Sequence, residues 1–300
     1  MKKELSILIP VYNDVCTSLV HRLNGIAQAT EGLIYEIIVA DDGSTDKMKT
    51  ALNEPIAGLP NCRFIKRARN AGRSAIRNFL AQEARYEWLL FLDCDVVIPD
   101  LRFISNYFDS VSTYKVIYGG LGIGGNADML RCNLRYVYEK ANECKQTARC
   151  RNKRPYQSFR TTNFFVEKAT MLQHPFDEDI KTYGYEDVMF GKKLQESNVR
   201  LLHIDNNVEY TEYEDNATYM RKTEEAMRTL YSLRNSLAPY SSLISLQEKI
   251  QSWHLAGVAN TFFRIFRKLW RKNLLSRHPI LIIYNLYRLC YYNSLCVQSR

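Results

Sequence analysis

Short apolar runs alternate with helical periodicities through the first ninety residues of this chain. The runs at 5–9, 35–40, 62–65 and 88–92 are each 4 to 6 residues long and rich in Ile, Leu, Val and aromatics. Length and composition predict strands buried on both faces. Helical patterns occupy the intervals near 15–29, 46–53 and 73–84; in the last, Ile76, Phe79, Leu80 and Glu83 fit a helix with one apolar face. Strands that alternate with helices imply right-handed crossovers and a parallel sheet, hence an α/β fold.

After Pro99 the rhythm changes. A helix is expected near 101–112 and a strand at 115–118, followed by the glycine-rich stretch 119–125. Its spacing is that of neither a P-loop nor a dinucleotide fingerprint, so it is read as a turn after a strand. Residues 161–166 and 201–204 have strand character, and 184–197 reads as a loop running into a helix. From about 217 onward the pattern is helical, and no internal repeat is present. The expected organisation is one sheet domain over 1–220 and a helical, basic amphipathic extension over 221–300.

The clearest helix is 262–272. On a 100° wheel Phe262, Phe263, Ile265, Phe266, Leu269 and Trp270 share one side, while Arg264, Arg267, Lys268, Arg271 and Lys272 take the other. Helices of that type lie in the headgroup region of anionic bilayers, or pack their aromatic side on a domain. The apolar residues of 280–290 favour the membrane.

Charge sharpens this division. The net charge of +9 suggests nucleic acid until it is located: residues 249–300 hold nine Lys or Arg and no Asp or Glu, leaving 32 against 32 before them. No nucleic-acid partner is expected, because the excess belongs to the tail rather than to a reading motif on the folded domain. No run reaches the 18 or so apolar residues of a membrane span, and the start shows no cleavable signal pattern. The reading is a cytoplasmic protein, peripheral on the inner face of the membrane. The eight cysteines form no C-x-x-C pair and are read as free thiols.

Candidate chemistry concentrates where strands end. Asp41-Asp42 follows the second apolar run and Asp93-Cys94-Asp95 the fourth. In an open parallel sheet, ligands bind outside the carboxyl ends of the strands. Alternation would place both carboxylates of Asp93 and Asp95 on one side, suiting Mg²⁺ or Mn²⁺, which takes one or two carboxylates and completes its shell with substrate phosphates. Ser44 or Thr45 would also cap the following helix. The cationic segment 145–160, with Lys145, Arg149, Arg151, Lys153, Arg154 and Arg160, is either a solvated loop or a lid that closes over a diphosphate.

Taken in order, Pro10-Val11-Tyr12-Asn13, Asp41-Asp42-Gly43-Ser44-Thr45-Asp46, Asn70-Ala71-Gly72 with Ala75-Ile76-Arg77-Asn78, Asp93-Cys94-Asp95 and Gly184-Tyr185-Glu186-Asp187 resemble the motifs of family-2 glycosyltransferases, inverting enzymes of the GT-A fold. The resemblance runs from about residue 5 to about 215. It implies a GT-A-type nucleotide-binding sheet, mostly parallel and flanked by helices, with a C-terminal helical extension. It further implies that Pro10, Tyr12 and Asp41 line the base and ribose pocket with Asp42 in support. Asn70 joins that pocket, and Arg73 or Arg77 reaches the base or diphosphate. Asp93 contacts the ribose or the metal's water shell, and Asp95 is the direct ligand of Mn²⁺ or Mg²⁺. Asp187 is the base that deprotonates the acceptor hydroxyl, with Glu186 positioning it or the acceptor. Thr162-Asn163-Phe164 resembles the strand beside the acceptor site or is a strand edge. Where relatives carry a further histidine ligand, the matching position is Tyr210; His203 is the nearest histidine and is a candidate ligand.

The function implied is transfer of a sugar from a nucleotide-sugar donor, a UDP-sugar foremost, to a hydroxyl of a saccharide or lipid-linked acceptor in cell-surface polysaccharide synthesis. Two alternatives compete. A sugar-phosphate nucleotidyltransferase would open with a glycine-rich basic loop that Pro10-Val11-Tyr12-Asn13 does not supply. A catalytically inactive nucleotide-sugar-binding protein at the membrane would have had no need to keep Asp93, Asp95 and Asp187.

Overall fold

The computed structural model describes residues 2–298. Among them run strands β1 (Lys3–Val11), β2 (Leu33–Asp41), β3 (Cys62–Lys66), β4 (Trp88–Leu92), β5 (Val116–Tyr118), β6 (Leu121–Ile123), β7 (Asn163–Glu167), β8 (Leu201–His203) and β9 (Val208–Tyr210). Seven of these form one sheet in the order β3-β2-β1-β4-β7-β5-β8, while β6 and β9 pair separately. The first four strands are parallel to one another, as their alternation with helices predicts. Leu5, Ile7, Leu8 and Ile9 of β1 are fully buried, as are Ile37, Ile38 and Val39 of β2. Two-sided burial is why these runs read as continuous apolar stretches rather than as alternation.

The crossover helices follow the same logic. Thr17–Ala29 buries Leu19, Val20, Leu23, Ile26 and Ala27, one face at helical spacing. Arg73–Glu83 buries Ile76, Leu80 and Ala81 in the core shared with Leu8, Phe91 and Phe164.

β7 interrupts the parallel run. It pairs antiparallel with β4, from Leu92↔Asn163 to Trp88↔Glu167, and antiparallel with β5, while β8 is parallel to β5. Ring stacks lock the register, with centroids 4.7 Å apart both for Trp88 on Phe165 and for Phe91 on Phe164. Thr162-Asn163-Phe164 therefore leads into a central strand, not an edge. The carboxyl ends of β1, β2, β4, β5 and β8 share one edge of the sheet with the start of β7.

The glycine-rich stretch 119–125 is a turn only in part: Gly119 and Gly120 make a close-packed link from β5, and residues 121–123 are β6 itself. A Cβ at Gly119 would lie 2.1 Å from the Tyr107 hydroxyl; Gly120 has φ +100 and would meet Asn207 Oδ1 at 2.2 Å. Segment 145–160 is not an irregular loop, since it winds into helical turns at Ala148–Arg151 and Pro155–Ser158. Arg151 is buried, donates to the Ile204 carbonyl at 2.6 Å and lies 5.2 Å from the Tyr118 ring. That cation secures the end of β8 and is withdrawn from any lid.

Contacts divide the chain into two compact units. One holds the chain through Gly124, Cys144–Lys181 and Glu186–Thr211; the other holds Gly125–Glu143, Thr182–Tyr185 and the chain from Glu212 onward. In the second, helices Leu134–Asn142, Asn216–Ser232, Ser242–Ser252, Ala256–Leu274 and Leu281–Gln298 are joined by polar contacts as well as apolar ones. Glu224 accepts from Arg271 and from the Tyr287 hydroxyl at 2.6 Å, and Arg228 donates to the Tyr291 hydroxyl at 2.7 Å. No helix among the described residues is long and apolar enough to cross a membrane. All eight cysteines are free thiols.

Candidate active site

Two loops at the ends of β1 and β2 are bolted together by one side chain. Asn13, at φ +52, accepts from the backbone N–H of Thr45 and of Asp46, both at 2.9 Å, and its own N–H donates to Ser44 Oγ at 2.7 Å. Asp46 caps the helix Lys47–Asn53 through the N–H groups of Met48 and Lys49, so the cap is Asp46 rather than Ser44 or Thr45. Pro10 is half-buried and Tyr12 is 45% exposed, an accessible ring at the sheet edge.

The two buried aspartates beside them organise backbone. Asp41, 2% exposed, accepts from Ser44 N at 2.8 Å and from Thr50 Oγ1 at 3.1 Å. Each carboxylate oxygen keeps a second lone pair, so a base or ribose donor can still be accepted. Asp42 accepts from Arg67 Nη1 at 2.8 Å, Gly72 N at 2.9 Å and Ala71 N at 3.2 Å. It thus ties segment 70–72, and the positive end of helix Arg73–Glu83, to the tip of β2. Gly43 permits this closeness, having φ +71 and a virtual Cβ only 2.5 Å from the Arg69 carbonyl carbon. Asn70 is exposed on the loop so held.

The arginines on that helix face carboxylates. Arg77 is 2% exposed and donates to Asp93 Oδ1 at 2.8 Å and to the Arg73 carbonyl at 3.2 Å. Arg73 lies 3.7 Å from Glu186. Arg77 is thus committed to Asp93, which leaves the half-exposed Arg73 better placed to meet a ligand.

β4 ends at Leu92, and the chain leaves the strand as a turn over 93–95. Strand alternation therefore does not extend to these aspartates. Asp93 turns inward to Arg77 while Asp95 is exposed. The turn is fixed on both sides: Asp93 N donates to the Thr162 carbonyl at 3.0 Å, and Val97 exchanges both backbone bonds with Glu209 at 2.9 Å. That bridge brings β9, with buried Tyr210, alongside the segment after Asp95.

Glu186 and Asp187 open the helix Glu186–Glu196, and the chain enters it through Gly184 and Tyr185, both at positive φ. The helix dipole favours acids in this turn. Glu186 is buried, and Asp187 is 18% exposed with Oδ2 3.5 Å from Arg160 Nε and Oδ1 accepting from Val188 N at 2.7 Å. Burial pushes the Asp187 carboxyl above the ordinary carboxylate range, Arg160 pulls it back down and Glu186 raises it. Arg77, which is bound to Asp93, lowers it to a smaller extent. Arg160, which the sequence placed in a solvated loop or a lid over a diphosphate, instead lies beside Asp187; the order of motifs says nothing about which loop cation meets which acid.

The residues suit a divalent cation in a limited way. No group of three or more His, Cys, Asp or Glu among the described residues could hold a metal by itself. Asp95 is an exposed hard-oxygen donor with Asp93 two residues away, which suits Mg²⁺ or Mn²⁺ that takes its remaining ligands from phosphate and water. His203 does not fit as a ligand. Its Nδ1 accepts from Arg151 Nε at 3.2 Å, and Nε2 lies 2.8 Å from the Pro155 carbonyl, so that nitrogen carries the proton and donates. Burial drives its pKa down to about 4, leaving a neutral ring with both nitrogens engaged.

Known proteins bear on this geometry. A glycosyltransferase of Haemophilus influenzae, itself uncharacterized, is 33% identical over 96 residues, covering 32% of this chain and 38% of that protein. The poly(ribitol-phosphate) beta-glucosyltransferase of Bacillus spizizenii is 37% identical over 127 residues, 41% of this chain and 20% of its own length. The chain thus spans well under half of these relatives. Among solved structures, the mannosyltransferase PcManGT from Pyrobaculum calidifontis in complex with GDP-Man and Mn²⁺ covers 98% of this chain and 86% of its own, with a TM-score of 0.57 at 15% identity, a likeness of fold. The sequence profile described as Glycosyl transferase family 2 matches residues 6–167, more than half of the chain. The chain belongs to glycosyl transferase family 2 and carries its GT-A fold.

Proposed function

We propose that the chain transfers a sugar, with inversion at the anomeric carbon, from a nucleotide-sugar donor to a hydroxyl of a saccharide or lipid-linked glycan in cell-surface polymer synthesis. A UDP-sugar is the preferred donor, and residues 249–300 hold the protein to an anionic membrane surface on the cytoplasmic side. The observation that carries the catalytic reading is that one helix reaches both acidic motifs, with Arg77 on Asp93 at 2.8 Å and Arg73, one turn away, 3.7 Å from Glu186, the neighbour of Asp187.

The roles follow from position. Tyr12 offers a ring face to the base, while Pro10 and Asp41 shape the pocket that Asn13 and Asp42 hold in place. Asn70 and Arg73 stand at its rim. Asp95, with Asp93 beside it, would hold Mn²⁺ or Mg²⁺, whose charge offsets the negative charge that builds on the departing diphosphate. Asp187 takes the proton of the acceptor hydroxyl as the new bond forms on the opposite side of the sugar. Glu186, held by Arg73, and Arg160 orient that carboxylate and set its proton affinity.

The test is donor hydrolysis and transfer. Purified protein with Mn²⁺ and a panel of UDP-, GDP- and dTDP-sugars should release one nucleoside diphosphate slowly. Asp95→Asn and Asp187→Asn should each suppress transfer; if both leave it unchanged, this mechanism is wrong.

A further inference from the structure

The helix Ala256–Leu274 carries two apolar faces rather than one. Phe263, Trp270 and Leu274 are buried, and the helix packs on Leu281–Gln298, where Phe263 meets Tyr287 with centroids 5.4 Å apart. A second stripe, Val258, Phe262, Ile265 and Leu269, recurs at helical spacing and remains 65%, 46%, 67% and 61% exposed. It extends over about 16 Å at 1.5 Å per residue. Trp253 and Leu255 are exposed just before it, and Ile282 and Leu286 on the neighbouring helix are 71% and 41% exposed.

The basic residues divide in the same way. Arg271 is bound to Glu224, and Arg267 lies 5.8 Å from the Phe263 ring and 5.7 Å from the Tyr291 ring, so both help hold the helix down. Arg264, Lys268 and Lys272 are exposed; on the wheel Lys272 and then Lys268 border one side of the outward stripe, and Arg264 lies further round.

We infer that this outward stripe, not the aromatic face as a whole, inserts into the interface of an anionic bilayer, with Lys268 and Lys272 at the headgroup phosphates. The inference rests on the membrane reading above and deepens it by naming the inserting residues. Charge complementarity selects the occupant: residues 249–300 contain nine Lys or Arg and no acid, and an anionic surface attracts such a segment. A second copy docked on the same face by two-fold symmetry would set these cations against each other. The buried face cannot insert without unpacking the helix pair.

Full-length protein is mixed with phosphatidylcholine vesicles with and without phosphatidylglycerol, and flotation is measured for wild type and for Phe262→Ser/Ile265→Ser/Leu269→Ser. These positions are exposed, so the variant should keep its circular dichroism and Tm. Wild type is expected to float with the anionic vesicles only, and the variant to partition about tenfold less or worse. Lys268→Gln/Lys272→Gln should weaken flotation and remove much of its salt dependence. Equal flotation of the stripe variant and wild type overturns the stripe while leaving the membrane reading intact. Absence of wild-type flotation overturns both. A vesicle-free dimer that the stripe variant converts to monomer makes the stripe a self-association surface and also overturns the inference.

Discussion

Asp187 combines two properties that a general base needs: it is sheltered enough for its proton affinity to be raised, and it sits beside a cation that limits the rise. In the proposed mechanism Asp187 acts ionised, so turnover should fall as pH falls through its raised pKa. Arg160→Met removes the lowering influence and should move that acid limb of the kcat profile to higher pH, whereas Arg160→Lys should keep most of it in place. A pH–rate series on the three proteins checks this, and an unmoved limb in Arg160→Met would remove Arg160 from the account. Asp187→Asn should cost about 10²–10⁴-fold in kcat, as loss of a general base does, with donor affinity retained in calorimetry. Asp95→Asn should instead abolish the dependence of nucleotide affinity on Mn²⁺. Aspartates at 41, 42, 93, 95 and 187 were legible as site candidates because acids at strand ends and helix starts are conspicuous against apolar runs. Arg160 and the committed state of Arg77 were not, since a guanidinium's partner depends on which segments fold together.

Elements position these side chains through a few inflexible joints. Asp42 and Gly43 let the β2 tip touch segment 69–72, which carries Asn70 and leads into Arg73 at the start of the helix. Gly43→Ala would place a methyl against the Arg69 backbone at positive φ, a strain of roughly 1–3 kcal/mol, with more if the loops separate. We expect a lower Tm and weaker binding of the nucleoside diphosphate, both measurable in one calorimetry and melting series; unchanged values would show that the loops tolerate separation. The first four strands were readable as short continuous apolar runs, and their helices by the period of one apolar face. β6 and β9 were not, because Gly122 and Glu209 interrupt them, whereas the equally short β5 and β8 sit in largely apolar runs. Neither was the direction of β7, for which the stacking of Phe164 and Phe165 on β4 decides.

At the scale of the whole molecule, stability should depend on pH through His203. Its folded pKa of about 4 lies below the ordinary 6.5, so its contribution is full above 6.5 and is lost as pH falls toward 4. The loss is about 3 kcal/mol at most. Denaturant melts at neutral and mildly acidic pH should show it in wild type and less of it in His203→Gln; an equal acid penalty in both would place the effect elsewhere. The tail is likewise structural as well as basic. Removing residues 249–300 would strip partners from Glu224 on the helix Asn216–Ser232 and should lower soluble yield and Tm.

Sequence alone determined the alternation of strands and helices, the family motifs at the sheet edge, and the concentration of positive charge in the tail. These are local or additive properties: periodicity, residue type and net charge need no partner to be defined. Tertiary structure alone decided that Arg77 serves Asp93, that Arg160 meets Asp187, that His203 is occupied, and that one helix divides its apolar residues between packing and exposure. Each of these depends on which distant segment arrives beside a given side chain, and the burial that results sets its charge and its freedom to bind.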